Sequence, residues 1–235
     1  MGGAQYVHTF DKCFFMPSDL TAGLEYNRDR LKDNMWGYNR HTDQTVNIYS
    51  AFLQNEWKND RWGILIGGRL DKHNMVDNVI FSPRANLRFN PTQNINLRLS
   101  YSSGFRAPQA FDEDMHIENV GGTVAMIERA KDLKEEKSQS FSVSADMYHR
   151  FGAFQTNLLI EGFYTRLTDV FVLGKPYDRG DGILVKTRSN GPGAKVMGLT
   201  LEGKVAYLSI LQIQAGLTLQ RSRYDEPHKL SLIHI

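Results

Sequence analysis

The sequence predicts an all-β chain: part of an antiparallel transmembrane β-barrel, with short periplasmic turns at one end and long outer loops at the other. Three observations carry that class. Apolar residues recur with a period of two in segment after segment, several of them longer than the five or six residues usual in soluble sheets. Short turns and long polar stretches alternate along the chain, so every long connection falls at the same end of the sheet, as in outer-membrane barrels. No window offers the roughly eighteen apolar residues of a membrane helix, which excludes helical spans but not strands that turn only alternate residues to lipid.

Taken in order, residues 4–15 supply a first candidate strand, and 20–31, 44–58 and 61–71 supply three more, with a phase slip near Ser50. The pattern is cleanest at 84–90, where Ala85, Leu87 and Phe89 alternate with Arg84, Asn86, Arg88 and Asn90, and at 94–105, where Ile95, Leu97, Leu99, Tyr101 and Phe105 alternate with polar residues. Phe141, Val143, Ala145 and Met147 mark the next strand, 154–171 and 194–208 two further ones, and Leu211, Ile213, Ala215, Leu217 and Leu219 the last. The count is about ten.

Turns are expected at Pro17-Ser18-Asp19, Asn59-Asp60, Pro91-Thr92-Gln93-Asn94, Phe151-Gly152-Ala153 and Ser209, where turn-forming residues or a break in phase occur. The long polar stretches are 32–43, 72–81, 105–137 and 172–193. Opposite the apolar face stand Arg84, Arg88, Arg98, Asp146, Arg150, Asn157 and Glu161, a face that wants water. A soluble sandwich would also carry a polar face. The aromatics favour the barrel over the sandwich, because Tyr49, Trp57, Trp62, Phe89, Tyr101, Phe105, Phe151, Phe154 and Tyr164 lie toward strand ends, where an interfacial girdle belongs.

Composition narrows function. With 28 basic and 26 acidic residues the net charge is only +2, which gives no electrostatic case for nucleic acid. Cys13 is the sole cysteine, so neither an internal disulfide nor a cysteine zinc site is available. The first twenty residues lack the basic start, apolar middle and cleavage site of a secretory signal, so Met1 is expected to lie inside a longer protein. No Gly-x-Ser-x-Gly elbow, phosphate-cradling glycine loop or zinc-spaced histidine pair is present, and no enzymatic activity or cofactor is expected.

Four motifs in order bring a family into view. "YSSGFRAPQAFDE" resembles the junction between strand and outer loop in TonB-dependent outer-membrane receptors. "DLKEEKSQSFSVSAD" (132–146), "FYTRLTDVFVL" (163–173) and "NGPGAKVMGLTLEGKV" (190–205) resemble that family's following segments. Departures occur at Ala130, Lys131, Glu135 and Thr200, and one extra residue falls between Asn190 and Ala194. The resemblance implies a barrel of about 22 strands around a plugged lumen, of which this chain would supply about ten. Residues 1–229 are then expected to be a barrel fragment, without the N-terminal plug, the early strands and the closing strand. The tail 230–235, "LSLIHI", matches what a transposon end used in sequencing libraries would encode, and is expected to be non-native; the alternative is an apolar strand start after Pro227.

What the resemblance implies about function is active transport across the outer membrane of a Gram-negative bacterium, with outer-membrane lipid around the barrel and the TonB complex acting through the plug. An iron-siderophore complex is the leading ligand, cobalamin the next and an oligosaccharide the third. A passive porin or adhesin-type barrel is the alternative, and a barrel enzyme the third option. Ligand contacts are expected in the outer loops. Arg106 can reach a carboxylate or carbonyl at the rim, with a rim salt bridge the plainer role. The segment with Asp112, Glu113, Asp114, His116 and Glu118 could bind a hard cation such as calcium through its carboxylate oxygens, although a solvated acidic loop is the simpler reading. Tyr177, Asp178 and Arg179 sit in a glycine-bounded loop tip, where the ring and guanidinium could meet an aromatic, anionic iron chelate.

Overall fold

The computed structural model describes residues 1–38, 40–110, 118–120, 123–180, 182–208 and 210–226. The acidic residues 112–114, His116 and the tail 230–235 lie outside the described residues.

Alternating apolar and polar residues can satisfy their backbone only by pairing sideways, and the chain does so as one antiparallel meander. Its strands are β1 (Gly2–Cys13), β2 (Met16–Met35), β3 (Arg40–Lys58), β4 (Trp62–His73), β5 (Ile80–Thr92) and β6 (Ile95–Arg106). Two short strands, β7 (Glu118–Val120) and β8 (Thr123–Arg129), follow before β9 (Glu136–Phe151) and β10 (Phe154–Thr168). Three more, β11 (Phe171–Leu173), β12 (Tyr177–Asp178) and β13 (Leu184–Asn190), precede β14 (Ala194–Tyr207) and β15 (Leu211–Tyr224). The main sheet has ten strands in the order β1-β2-β3-β4-β5-β6-β9-β10-β14-β15, and β1 and β15 are its edges. The ten match the ten expected segments one for one.

The register makes the two faces chemically distinct. Leu87 pairs Leu99, Leu99 pairs Val143, Val143 pairs Gly162, Gly162 pairs Leu199 and Leu199 pairs Leu219, a single apolar row across six strands. The opposite face carries charge: Arg69 Nη1 lies 2.7 Å from Glu25 Oε2 and its Nε 2.8 Å from Asp71 Oδ1, while Ser50 Oγ donates to Asp71 at 2.6 Å. Aromatic pairs bound the apolar band. At the short-turn end Phe15 stacks on Trp57, Trp62 on Phe89, and Phe154 meets Tyr207; toward the loops Tyr26 stacks on Tyr49 and Tyr101 meets Phe141. Trp57 and Tyr49 stand eight residues apart on β3, roughly 26 Å along the strand at ~3.3 Å per residue, enough to cross a hydrocarbon layer at moderate tilt.

Two expected boundaries are corrected. Pro17-Ser18-Asp19 is not a turn: the chain reverses at Phe14-Phe15, with Phe14 in the left-handed region at φ 63°, and Pro17 lies inside β2. The register shifts between Phe10 and Cys13 opposite Pro17, and again between Phe89 and Thr92 at Pro91. Each bulge absorbs the ladder bond that a proline cannot donate. The stretch 32–43 is not a long loop either, because β2 and β3 stay paired out to Met35 and Arg40 and close through a 3-10 turn at Trp36–Tyr38. Beyond Tyr26 and Tyr49 this hairpin is held by ion pairs instead of apolar contacts: Arg30 forks onto Asp43 (2.7 and 3.1 Å) and Arg40 reaches Asp33 at 2.9 Å.

The described parts of the two longest loops pair with each other as a second, five-stranded sheet in the order β11-β13-β8-β7, with β12 also on β13. β8 and β13 run parallel, Val185 beside Met126. Burial concentrates there and at the adjoining rim: the buried apolar residues are Val46, Val76, Ile80, Ala107, Met126, Val170, Val185 and Ala194 among those described, all at the long-loop end.

Candidate ligand cleft at the long-loop end

Where the β2–β3 hairpin leans over the loop sheet, a cleft of about 760 Å³ opens. That volume is within the range of small-molecule sites. Basic side chains dominate its wall: Arg40 and His41 from the start of β3, Arg129 at the end of β8, Lys131 just after it, and Arg179 after β12, with Glu128 as the acid.

Each is placed by a local device. Arg40 is aligned by its 2.9 Å ion pair to Asp33 across the hairpin. Arg129 Nη1 donates to Gln44 Oε1 at 2.8 Å and to the Pro108 carbonyl at 3.0 Å; the buried Gln44 oxygen also accepts the Ala110 N–H at 2.9 Å. Strand β3, the loop after β6 and β8 therefore converge on one amide. Beneath them His73 is fully buried, its Nδ1 accepting the Met75 N–H at 3.0 Å and its Nε2 lying 3.3 Å from Gln109 Oε1. Arg179 Nη1 lies 3.5 Å from Glu128 Oε1, and the Ala130 N–H donates to the Arg188 carbonyl at 2.9 Å, tying the cleft's edge to β13. On the stretch leading into β9, burial would raise the Glu135 carboxyl, but its own backbone amide and Lys137 Nζ, 3.0 Å away, outweigh that and hold it below the ordinary carboxylate range.

Arranged this way the groups can hold an anion or an acceptor-rich ligand by charge-assisted hydrogen bonds. Among the described residues no cluster of three or more His, Cys, Asp or Glu is placed to hold a metal ion. Of the residues singled out in the sequence, Arg179 lines the cleft and Arg106 does not. Arg106 ends β6 opposite Glu136, with its guanidinium 5.6 Å from the centre of the Phe171 ring. Tyr177 is exposed on β12 outside the cleft, and Asp178 Oδ1 accepts the Gly180 N–H at 2.7 Å, which fixes the loop tip. Arg40, His41, Arg129 and Lys131 were not anticipated. The signal was there in "NRH" and "RAK", basic clusters inside two long polar stretches.

A ten-stranded meander with aromatic girdles, a charged face opposite the apolar one and a basic cleft among its long loops has the build of a wall segment of a transmembrane β-barrel. Residues 3–232 match the family described as TonB dependent receptor-like, beta-barrel, and the chain belongs to that family. The siderophore receptor PirA from Pseudomonas aeruginosa is similar in fold, with a TM-score of 0.79 at 17% identity over 95% of this chain and 42% of that one. The ferric enterobactin receptor PfeA, in complex with BCV-L6, superposes with a TM-score of 0.73 at 18% identity, over 93% of this chain and 35% of that one. In sequence, the chain is 23% identical over 206 residues to "Probable hemoglobin and hemoglobin-haptoglobin-binding protein 3" of Haemophilus influenzae, which covers 86% of this chain and 18% of that protein. The chain thus spans under half the length of each of these relatives.

Proposed function

We propose that this chain builds part of the wall and the outer ligand mouth of an active uptake receptor for a bulky anionic iron chelate, an iron-siderophore complex, in the outer membrane of a Gram-negative bacterium. The basic cleft carries the reading: five cationic or protonatable side chains around about 760 Å³ match a chelate with several acidic oxygens. A neutral oligosaccharide brings no countercharge to this net-basic wall, and the siderophore receptors similar in fold support the same cargo class. Residues 1–229 act in this reading as one barrel segment, and the work is binding and gated passage, with the TonB complex supplying the drive through a plug domain. Haem-protein capture is the second reading, supported by the name of the H. influenzae relative.

In the full-length receptor, Lys131→Glu with Arg179→Glu should weaken ferric-siderophore binding at least tenfold, since one charge-assisted contact contributes about 1.5–3 kcal/mol. Lys58→Glu at the opposite rim should leave it unchanged. Uptake of iron-55 should cease when TonB is deleted. Unaltered affinity in the double variant would remove the cleft from the account, and uptake that persists without TonB would favour a passive barrel.

A further inference from the structure

A buried side-chain amide must find hydrogen-bond partners, and Gln44 is buried with Val46 and Ser50 on the same side of β3. Its Oε1 accepts the Ala110 N–H at 2.9 Å and Arg129 Nη1 at 2.8 Å. A backbone N–H and a guanidinium can only donate, so the two partners together dictate which way the amide points. Arg129 Nη1 also donates to the Pro108 carbonyl at 3.0 Å.

The stretch after β6 is gripped at successive residues. Ala107 packs with Val76 and Ile80, Gln109 Oε1 lies 3.3 Å from His73 Nε2, and the Ala110 N–H rests on Gln44. Arg129 draws on the same oxygen for a different reason. Its register partner on the parallel β8–β13 pair is Arg188, so two like charges stand side by side in the loop sheet and repel each other. An acceptor fixed on β3 works against that repulsion. Gln44 is neutral and holds the guanidinium without cancelling its charge, whereas Arg40 and Arg179 are met by carboxylates, those of Asp33 and Glu128.

We propose that Gln44 is a positioning and specificity-determining residue of the cleft: its amide oxygen holds the Arg129 guanidinium and the 107–110 stretch in place before a ligand arrives, and its neutrality keeps the wall selective for anions. The inference rests on the reading of the cleft as the site of an anionic chelate. A side chain already immobilised has little rotamer freedom left to lose on binding, and that is the source of the gain in affinity. A carboxylate at the same position would serve the geometry equally well and neutralise Arg129.

The test joins equilibrium binding of two anionic chelates, ferric enterobactin and ferric citrate, to the full-length receptor in detergent with hydrogen exchange of the ligand-free protein. Gln44→Met, similar in size but without the acceptor, should speed exchange of the Ala110 amide about tenfold and weaken binding of whichever chelate the native receptor takes about three- to tenfold. Arg129→Ala should weaken that binding about tenfold in the native receptor and less than about threefold in the Gln44→Met background, because a guanidinium no longer held in place has less to lose. Gln44→Glu should keep the slow Ala110 exchange and still weaken binding, a split that a purely structural role does not produce. Native-like binding in either Gln44 variant, unchanged Ala110 exchange in Gln44→Met, or additive losses with Arg129→Ala would overturn the proposal. A native receptor that binds neither chelate would instead remove the anionic-chelate reading, and this role with it. Should Gln44→Met not fold, the binding result for Gln44→Glu decides alone.

Discussion

Leu97 and Asn96 are neighbours on β6 and meet opposite surroundings. Leu97 pairs Phe89 and Ala145 on the apolar face, while Asn96 donates to Asn90 Oδ1 at 2.6 Å, accepts from Arg98 Nε at 2.7 Å and pairs Asp146. Leu97→Arg should destabilise the full-length receptor in bilayers by about 2–4 kcal/mol, the cost of a cation near the midplane. Asn96→Arg should cost less than about 1 kcal/mol, because Asp146 directly opposite supplies a countercharge. Urea titrations in phospholipid vesicles measure both. The facing of such residues is legible from the alternation alone. The setting of a rim residue is not: the sequence offers Arg106 a rim salt bridge or a ligand contact, and nothing in "GFRAP" announces the Phe171 ring, sixty-five residues downstream, whose centre lies 5.6 Å from its guanidinium.

Among the elements, those crossing the apolar band were readable because burial on one face imposes the period of two. Outside the band that pressure lapses. The outer ends of β2 and β3 pair through Lys32 with Asp43 and Asn34 with His41, a charged and amide ladder with no apolar rhythm, so the sequence suggests a loop there. Pro17 misleads for a related reason: proline marks any break in the ladder, and here the break is a bulge beside a turn of two phenylalanines. The loop sheet is the least legible element. Its parallel β8–β13 pair joins segments separated by the whole β9–β10 hairpin, a contact no local pattern encodes. Met126 and Val185, paired and almost fully buried, are its core. Met126→Ala should lower the local opening free energy of β8 and β13 by about 2–5 kcal/mol, seen as faster amide exchange there with β9 and β10 unaffected. Because the two side chains share one contact, the double change with Val185→Ala should cost less than the sum of the single ones.

The whole molecule has an inverted economy of burial. Its largest sheet leaves Leu24, Leu53, Ile66, Leu99, Val143 and Leu217 more than half exposed, while the described apolar residues excluded from solvent lie at the long-loop end, beyond the apolar band. A soluble sandwich would place its core between sheets; here, among the described residues, no second layer packs on the apolar face of the main sheet, and hydrocarbon is the solvent that suits it. The inner face carries Glu25, Arg69 and Asp71 in one network, and in the function proposed above it borders an aqueous lumen with the cleft as the ligand's entrance. The most direct test is a cysteine scan of residues 95–101 in the full-length receptor, with Cys13 replaced by serine, in membranes containing spin-labelled lipids. Labels at 95, 97, 99 and 101 should be quenched by the lipid and shielded from a water-soluble thiol reagent, and those at 96, 98 and 100 should do the reverse. A uniform response along the strand, or the opposite alternation, would contradict the assignment of the two faces.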